Sequence, residues 1–138
     1  MIEKIYIPTF KRVNSQTALS KIPDRYKDRV ILVVQEQERN QYNYDIEYYV
    51  VGNNIGLSKT KELIYRHAGK KRYAMVDDDV IWYRRNSRYY GRPPNMEQSK
   101  RECSEKDWAE MLEKIDNLMN EKKVISVGHK EFGFQPSD

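Results

Sequence analysis

Three consecutive carboxylates, Asp77, Asp78 and Asp79, carry the densest chemical signal in this 138-residue sequence. They follow the short apolar run Tyr73-Ala-Met-Val76, whose composition predicts a buried strand. Side chains alternate faces along an extended chain, so Asp77 and Asp79 are expected on one side and Asp78 on the other. Adjacent carboxylates repel one another, and burying them without a cation drives protonation. A hard divalent ion such as Mg²⁺ or Mn²⁺ relieves that repulsion, and such an ion also holds substrate phosphates through one or two carboxylates. The competing reading is a solvated acidic turn. Ligands in open α/β sheets bind outside the carboxyl ends of the strands, and that is where these aspartates fall.

The elements that must position them can be read in order. Ile2 to Ile7 predicts a first strand, stopped by Pro8 and followed by the loop Pro8-Thr9-Phe10-Lys11-Arg12. A short helix is expected from Ser15 to Ser20, with Ser15 as its cap. Val30 to Val34 is a continuous apolar run, as in a central parallel strand, and it ends in Gln35-Glu36-Gln37-Glu38. Ile46 to Val51 predicts a third strand, and Gly52 to Gly56 a turn. Ser58 is placed to cap a helix from Lys59 to about His67, with His67 packed on its apolar side and Gly69 closing it.

Residues 82–104 lack periodicity and contain Pro93-Pro94, which predicts a long mobile loop. Ser104 and Asp107 then form a capping box. Behind it, Trp108, Met111, Leu112, Ile115, Leu118 and Met119 make one apolar helical stripe, and Lys123 to Val127 a last strand. This order predicts a single α/β domain over residues 1–138, with a mostly parallel sheet flanked by helices. The polar clusters after the first, second and acidic strands then share one sheet edge, and one site explains all three.

Composition narrows the classes. A net charge of +4 suits an anionic partner such as a nucleotide or nucleic acid. Cys103 is the only cysteine, which excludes an internal disulfide and points to a reducing compartment. No apolar stretch approaches membrane-spanning length, so a soluble cytoplasmic protein with no membrane partner is expected. Walker lysine loops, Rossmann glycine fingerprints, zinc spacings and nucleophile elbows do not occur.

The ordered set Ile7-Pro8-Thr9-Phe10-x-Arg12, the acid-ended second strand with Glu36 and Glu38, Gly56-Leu-Ser-Lys-Thr-Lys61 and Met75-Val-Asp-Asp-Asp79 resembles a known enzyme class. It is similar to the nucleotide-binding half of GT-A glycosyltransferases, Asp-x-Asp enzymes with a Rossmann-like fold. It looks most like the small bacteriophage glycosyltransferases that decorate hydroxymethylated pyrimidines in DNA, over roughly residues 2–128. The resemblance implies a nucleotide diphosphate sugar as donor, a UDP-sugar being favoured, and Mn²⁺ or Mg²⁺ as cofactor.

It also implies roles for residues. Pro8, Thr9 and Arg12 would line the base and ribose, and Glu36 or Glu38 would take the base or ribose edge. Lys59 and Lys61 stand where relatives often carry Arg or Asn near the nucleotide; a lysine offers a point charge in place of a bidentate fork. Asp77 would touch the ribose or the metal, and Asp79 would be the firmest metal ligand. Members of the class continue past the fifth strand into a portion holding the acceptor and the catalytic base. No residue here is assigned as that base, and a second chain or a further segment is expected to complete the acceptor site. For a phage-encoded enzyme the compartment is the host cytoplasm.

The stretch after the acidic strand holds Arg84, Arg85, Arg88, Arg92, Lys100 and Arg101 against the single acid Glu97, with Tyr83, Tyr89 and Tyr90 interleaved. Cations hold a phosphate backbone and aromatic rings stack on exposed bases. Arg84, Arg85, Arg88 and Tyr89 are therefore candidate contacts to a DNA acceptor, against the plainer reading of a solvated basic loop. His129 reads as a surface residue in preference to a late metal ligand. Two further functions fit the same features: a nucleotidyltransferase, and a non-catalytic nucleic-acid-binding domain.

Overall fold

The computed structural model describes residues 1–85 and 100–121. The predicted last strand, His129, Arg88 and Tyr89 lie outside the described residues. Contacts divide the chain into two compact units, Met1–Ile81 and Trp82–Asp138.

In the first unit, β1 (Lys4–Pro8), β2 (Val30–Gln35), β3 (Glu47–Val51) and β4 (Tyr73–Met75) form an all-parallel sheet in the order β3-β2-β1-β4. This is the α/β architecture expected from the sequence. Every residue of β2 is buried, which is why its run of Val, Ile and Leu shows no alternation. By strand alternation, Tyr6, Ile31 and Val33 face one side of the sheet. There they pack with Val51 and with Ile64 and Ala68 of α2 (Leu57–Ala68). Ile5, Ile7, Val30, Leu32 and Val34 face the other side, and all are buried. Each such side chain contributes about 1.5–3 kcal/mol by leaving water.

Several local expectations shift. The first helix, α1, spans Thr17–Lys21 and starts after Gln16, with no side-chain cap from Ser15. Residues Glu36–Gln41 form a 3-10 helix in which Glu38 is buried. Ser58 lies inside α2, whose N-cap is Gly56; the helix closes at Gly69 with φ of 61°. The turn before α2 places its positive φ at Asn54, and no glycine takes that role there. Strand β4 is only partly buried, because β1 alone pairs with it among the described residues. His67 is exposed and not a core residue, yet it is held: its Nδ1 and the Tyr6 hydroxyl share a hydrogen bond of 2.8 Å, and its ring stacks on Tyr49.

The second unit corrects the expected loop at both ends. Tyr83–Arg85 (β5) and Lys100–Glu102 (β6) pair as an antiparallel ribbon, with Arg84 opposite Arg101. Like charges directly opposite repel across such a ribbon. Asp107, in the first turn of α3 (Glu105–Glu121), resolves the conflict. Arg84 Nη1 donates to its Oδ1 at 2.8 Å, and Arg101 donates to both of its carboxylate oxygens. The capping box forms as read: the Ser104 N–H donates to Asp107 Oδ2 at 2.8 Å, and the Asp107 N–H to Ser104 Oγ at 3.3 Å. Trp108 and Leu112 of the apolar stripe are buried, and Trp108 meets Trp82 at 4.5 Å between ring centroids.

The Arg101, Ser104 and Arg84 donors hold the Asp107 carboxyl far below the usual carboxylate range. A depressed folded-state value means stability that is full above the unfolded value of about 3.9 and lost as pH falls below it. Asp107→Asn is expected to cost about 1–2 kcal/mol at pH 7 and to flatten the loss on acidification. Denaturant unfolding of parent and variant at neutral and acidic pH reads both effects; parallel acid profiles would remove this role from Asp107.

No helix among the described residues is long and apolar enough to cross a membrane.

Candidate functional site

The order β3-β2-β1-β4 reverses direction at β1: the chain winds outward through β2 and β3, then returns to the other side of β1 with β4. The carboxyl ends of β1 and β4 therefore flank the switch point, where open parallel sheets leave a crevice for ligands. The loop Pro8–Arg12 leaves β1 there, and the three aspartates leave β4.

The acidic run is a turn and not extended strand, with Asp78 and Asp79 at its corner and the Val80 N–H reaching back to the Asp77 carbonyl. Asp77 and Asp79 are exposed, whereas Asp78 is only 8 % exposed. Burying a carboxylate demands partners. Thr9 Oγ1 donates to Asp78 Oδ2 at 2.8 Å, and Arg12 Nη1 to Asp78 Oδ1 at 3.2 Å. Behind Thr9, Gln16 Nε2 donates to Thr9 Oγ1 and to the Arg12 carbonyl, both at 2.8 Å. The Ala18 N–H closes on the Asp78 carbonyl at 2.9 Å, so α1 also holds the turn.

The β1 loop is strained and anchored. Lys11 adopts φ of 55°, a left-handed conformation unfavourable for a residue with a Cβ. Its N–H donates to Glu38 Oε1 at 2.6 Å, which fixes the loop against the end of β2. Glu38 is 5 % exposed and its Oε2 has no partner among the described residues; the same is true of Gln16 Oε1. The Tyr42 hydroxyl is buried beside Thr9 and the Arg12 N–H without good hydrogen-bond geometry to either, and burial pushes its pKa up. Strain and buried polar atoms with unused capacity mark this corner as built for more than packing.

The structure thus brings Pro8, Thr9, Arg12, Glu38 and the acidic turn to one corner. Glu36 is exposed on the neighbouring 3-10 helix. Lys59 and Lys61 are exposed on the first turns of α2, Lys59 paired with Glu62 at 3.2 Å. Among the predicted acceptor contacts, Arg84 is half-exposed and ion-paired with Asp107 and Glu110. Gln16 and Tyr42 were not singled out from sequence. Their signal is faint: a glutamine just before the apolar Ala18-Leu19, and one tyrosine among eleven. An open cleft of about 570 Å³ runs beside α1 and has Gln16 in its wall, but none of the three aspartates lines it. The polar network, not that cleft, locates the site.

Among the described residues, no three His, Cys, Asp or Glu side chains converge as a metal cage. A divalent ion with phosphates bound needs fewer: one or two carboxylates suffice for Mg²⁺. Asp77 and Asp79 supply hard oxygen donors, and a cation already stands against Asp79, since Arg12 Nη1 lies 3.4 Å from its Oδ2. The donor set fits a hard divalent cation.

An α/β fold with polar and acidic residues gathered at the carboxyl ends of its switch-point strands is the setting in which open parallel sheets bind ligands. More particularly, the chain belongs to the TET-associated glycosyltransferase family, which it matches over residues 3–137. No curated protein and no solved structure matches it. Membership makes it a glycosyltransferase and separates it from the nucleotidyltransferase and non-catalytic alternatives. A glycosyltransferase of this kind takes a nucleotide-sugar donor.

Proposed function

We propose that this glycosyltransferase transfers a sugar from a nucleotide diphosphate sugar, a UDP-sugar being favoured, to a modified base in phage DNA, with Mn²⁺ or Mg²⁺ held by Asp77 and Asp79. The observation that carries the reading is the meeting of the Thr9–Arg12 loop with the acidic turn at the carboxyl ends of β1 and β4. Bound there, the ion would neutralise the diphosphate leaving group as the sugar–phosphate bond breaks.

The chain's own residues do the rest. Pro8, Thr9 and Arg12 line the base and ribose, on a loop held by Gln16 and Glu38. Glu38 serves the base or ribose edge better than Glu36, since it touches that loop and keeps one oxygen without a partner among the described residues. Lys59 and Lys61 add positive charge where α2 begins. Arg84, Arg85, Arg88 and Tyr89 contact the DNA.

The experiment is a thermal-shift titration of nucleotide sugars with Mn²⁺ and with EDTA, joined to DNA titrations at several salt concentrations. Ligands that bind the native state raise its melting temperature by mass action, here only with metal present. DNA affinity should fall with salt, roughly one unit of log–log slope per phosphate contact. Equal donor shifts in EDTA would end the metal-bridged reading; no DNA binding at low salt would end the DNA acceptor.

A further inference from the structure

Arg12 stands between two aspartates of different status. Its Nη1 alone makes both contacts, 3.2 Å to Asp78 Oδ1 and 3.4 Å to Asp79 Oδ2. Asp78 is buried and also held by Thr9, so that contact is an anchor. The Asp79 side chain is 63 % exposed, and its contact is long for a hydrogen bond. An exposed ion pair of that kind is weak and easily exchanged. The Arg12 side chain is itself half-exposed, and its Nη2 and Nε make no hydrogen bond among the described residues.

A guanidinium is a rigid fork of five donors, able to keep one carboxylate while turning its remaining N–H groups to a phosphate. A single positive charge against Asp79 also opposes a divalent cation arriving at the same oxygens.

We propose that Arg12 couples metal and diphosphate binding: without ligands it is the counter-cation of Asp79, and it turns to the diphosphate when the metal takes that carboxylate, pivoting on Asp78. The inference rests on the metal-dependent reading above, extends the role of Arg12 from the base and ribose to the diphosphate, and adds a sign to it. Arg12 weakens the binding of metal alone and strengthens the binding of nucleoside diphosphate. A residue that merely shaped the loop would favour both or neither.

The test is Arg12→Gln, with Arg12→Lys as the charge-preserving comparison, each checked for folding by thermal unfolding. Mn²⁺ alone is titrated by electron paramagnetic resonance, and UDP by calorimetry at saturating Mn²⁺. Arg12→Gln is expected to tighten Mn²⁺ binding about fivefold, by removing a like charge. It should weaken UDP binding about tenfold, by removing charge-assisted bonds to phosphate. Arg12→Lys should bind Mn²⁺ as the parent does. Weaker or unchanged Mn²⁺ binding in Arg12→Gln, beside a parent that binds the ion, overturns the coupling and leaves the metal reading standing. Unchanged UDP affinity overturns the exchange. If neither parent nor variant binds Mn²⁺, the metal reading falls and takes the coupling with it.

Discussion

Replacing Asp79 by asparagine is expected to lower sugar transfer at least about a hundredfold while leaving the fold intact. Asp79 is exposed and its only described side-chain partner is the long contact to Arg12, so the native state loses little. The metal reading assigns it the firmest ligand position, and an amide is a poor substitute for a carboxylate on a hard cation. A loss of a hundredfold corresponds to about 2.7 kcal/mol of transition-state stabilisation, within the several kcal/mol expected of a Lewis-acid cation. The checks are a transfer assay with Mn²⁺ and the metal-dependent melting shift with nucleotide sugar. Transfer within a few fold of the parent, or a surviving shift, would take the ligand role from Asp79.

Asp78→Ala should do the reverse, lowering stability first. The change removes the acceptor of Thr9 Oγ1 and Arg12 Nη1 together, and leaves the Gln16–Thr9 relay with nothing to orient it. A buried donor left unpaired costs about 1–3 kcal/mol, and losing the pair with half-exposed Arg12 adds about 0–1 kcal/mol, so about 1–4 kcal/mol is expected in all. Denaturant unfolding at pH 7 measures it. Asp78→Asn should cost less, since it keeps an oxygen for Thr9. A fully stable Asp78→Ala would mean that the β1 loop and the acidic turn are held by backbone contacts such as Ala18 N–H to the Asp78 carbonyl. The two variants together separate chemistry from architecture within three adjacent residues of one type.

Much of the frame was legible because burial writes itself into composition. The run Val30–Val34 reads as a strand buried on both faces, and β2 is that strand. The stripe from Trp108 to Met119 reads as one helix, and Ser104 with Asp107 as its cap; both follow from contacts within a turn or two of chain. Local signals weakened where charge masked a tertiary pairing. The basic residues around Arg84 and Arg101 carry no strand periodicity, yet they pair as a ribbon because Asp107, distant in sequence from Arg84, neutralises both.

The candidate site divides the same way. The sequence by itself determined that carboxylates would stand at a strand's carboxyl end, that an arginine-bearing loop would follow the first strand, and that an acid would close the second. Those are facts of residue type and order. It could not determine which aspartate turns inward, because the extended alternation that separates Asp78 from its neighbours gives no reason for burying it. Nor could it choose Glu38 over Glu36, or find Gln16. The contact of Glu38 with the Lys11 N–H depends on β2 lying beside β1. The burial of Asp78 depends on β4 lying beside β1, which brings Thr9 within 2.8 Å of a carboxylate 69 residues away. Hydrogen bonds at that sequence separation leave no periodic trace, since each partner could have been satisfied by water until the sheet order excluded it.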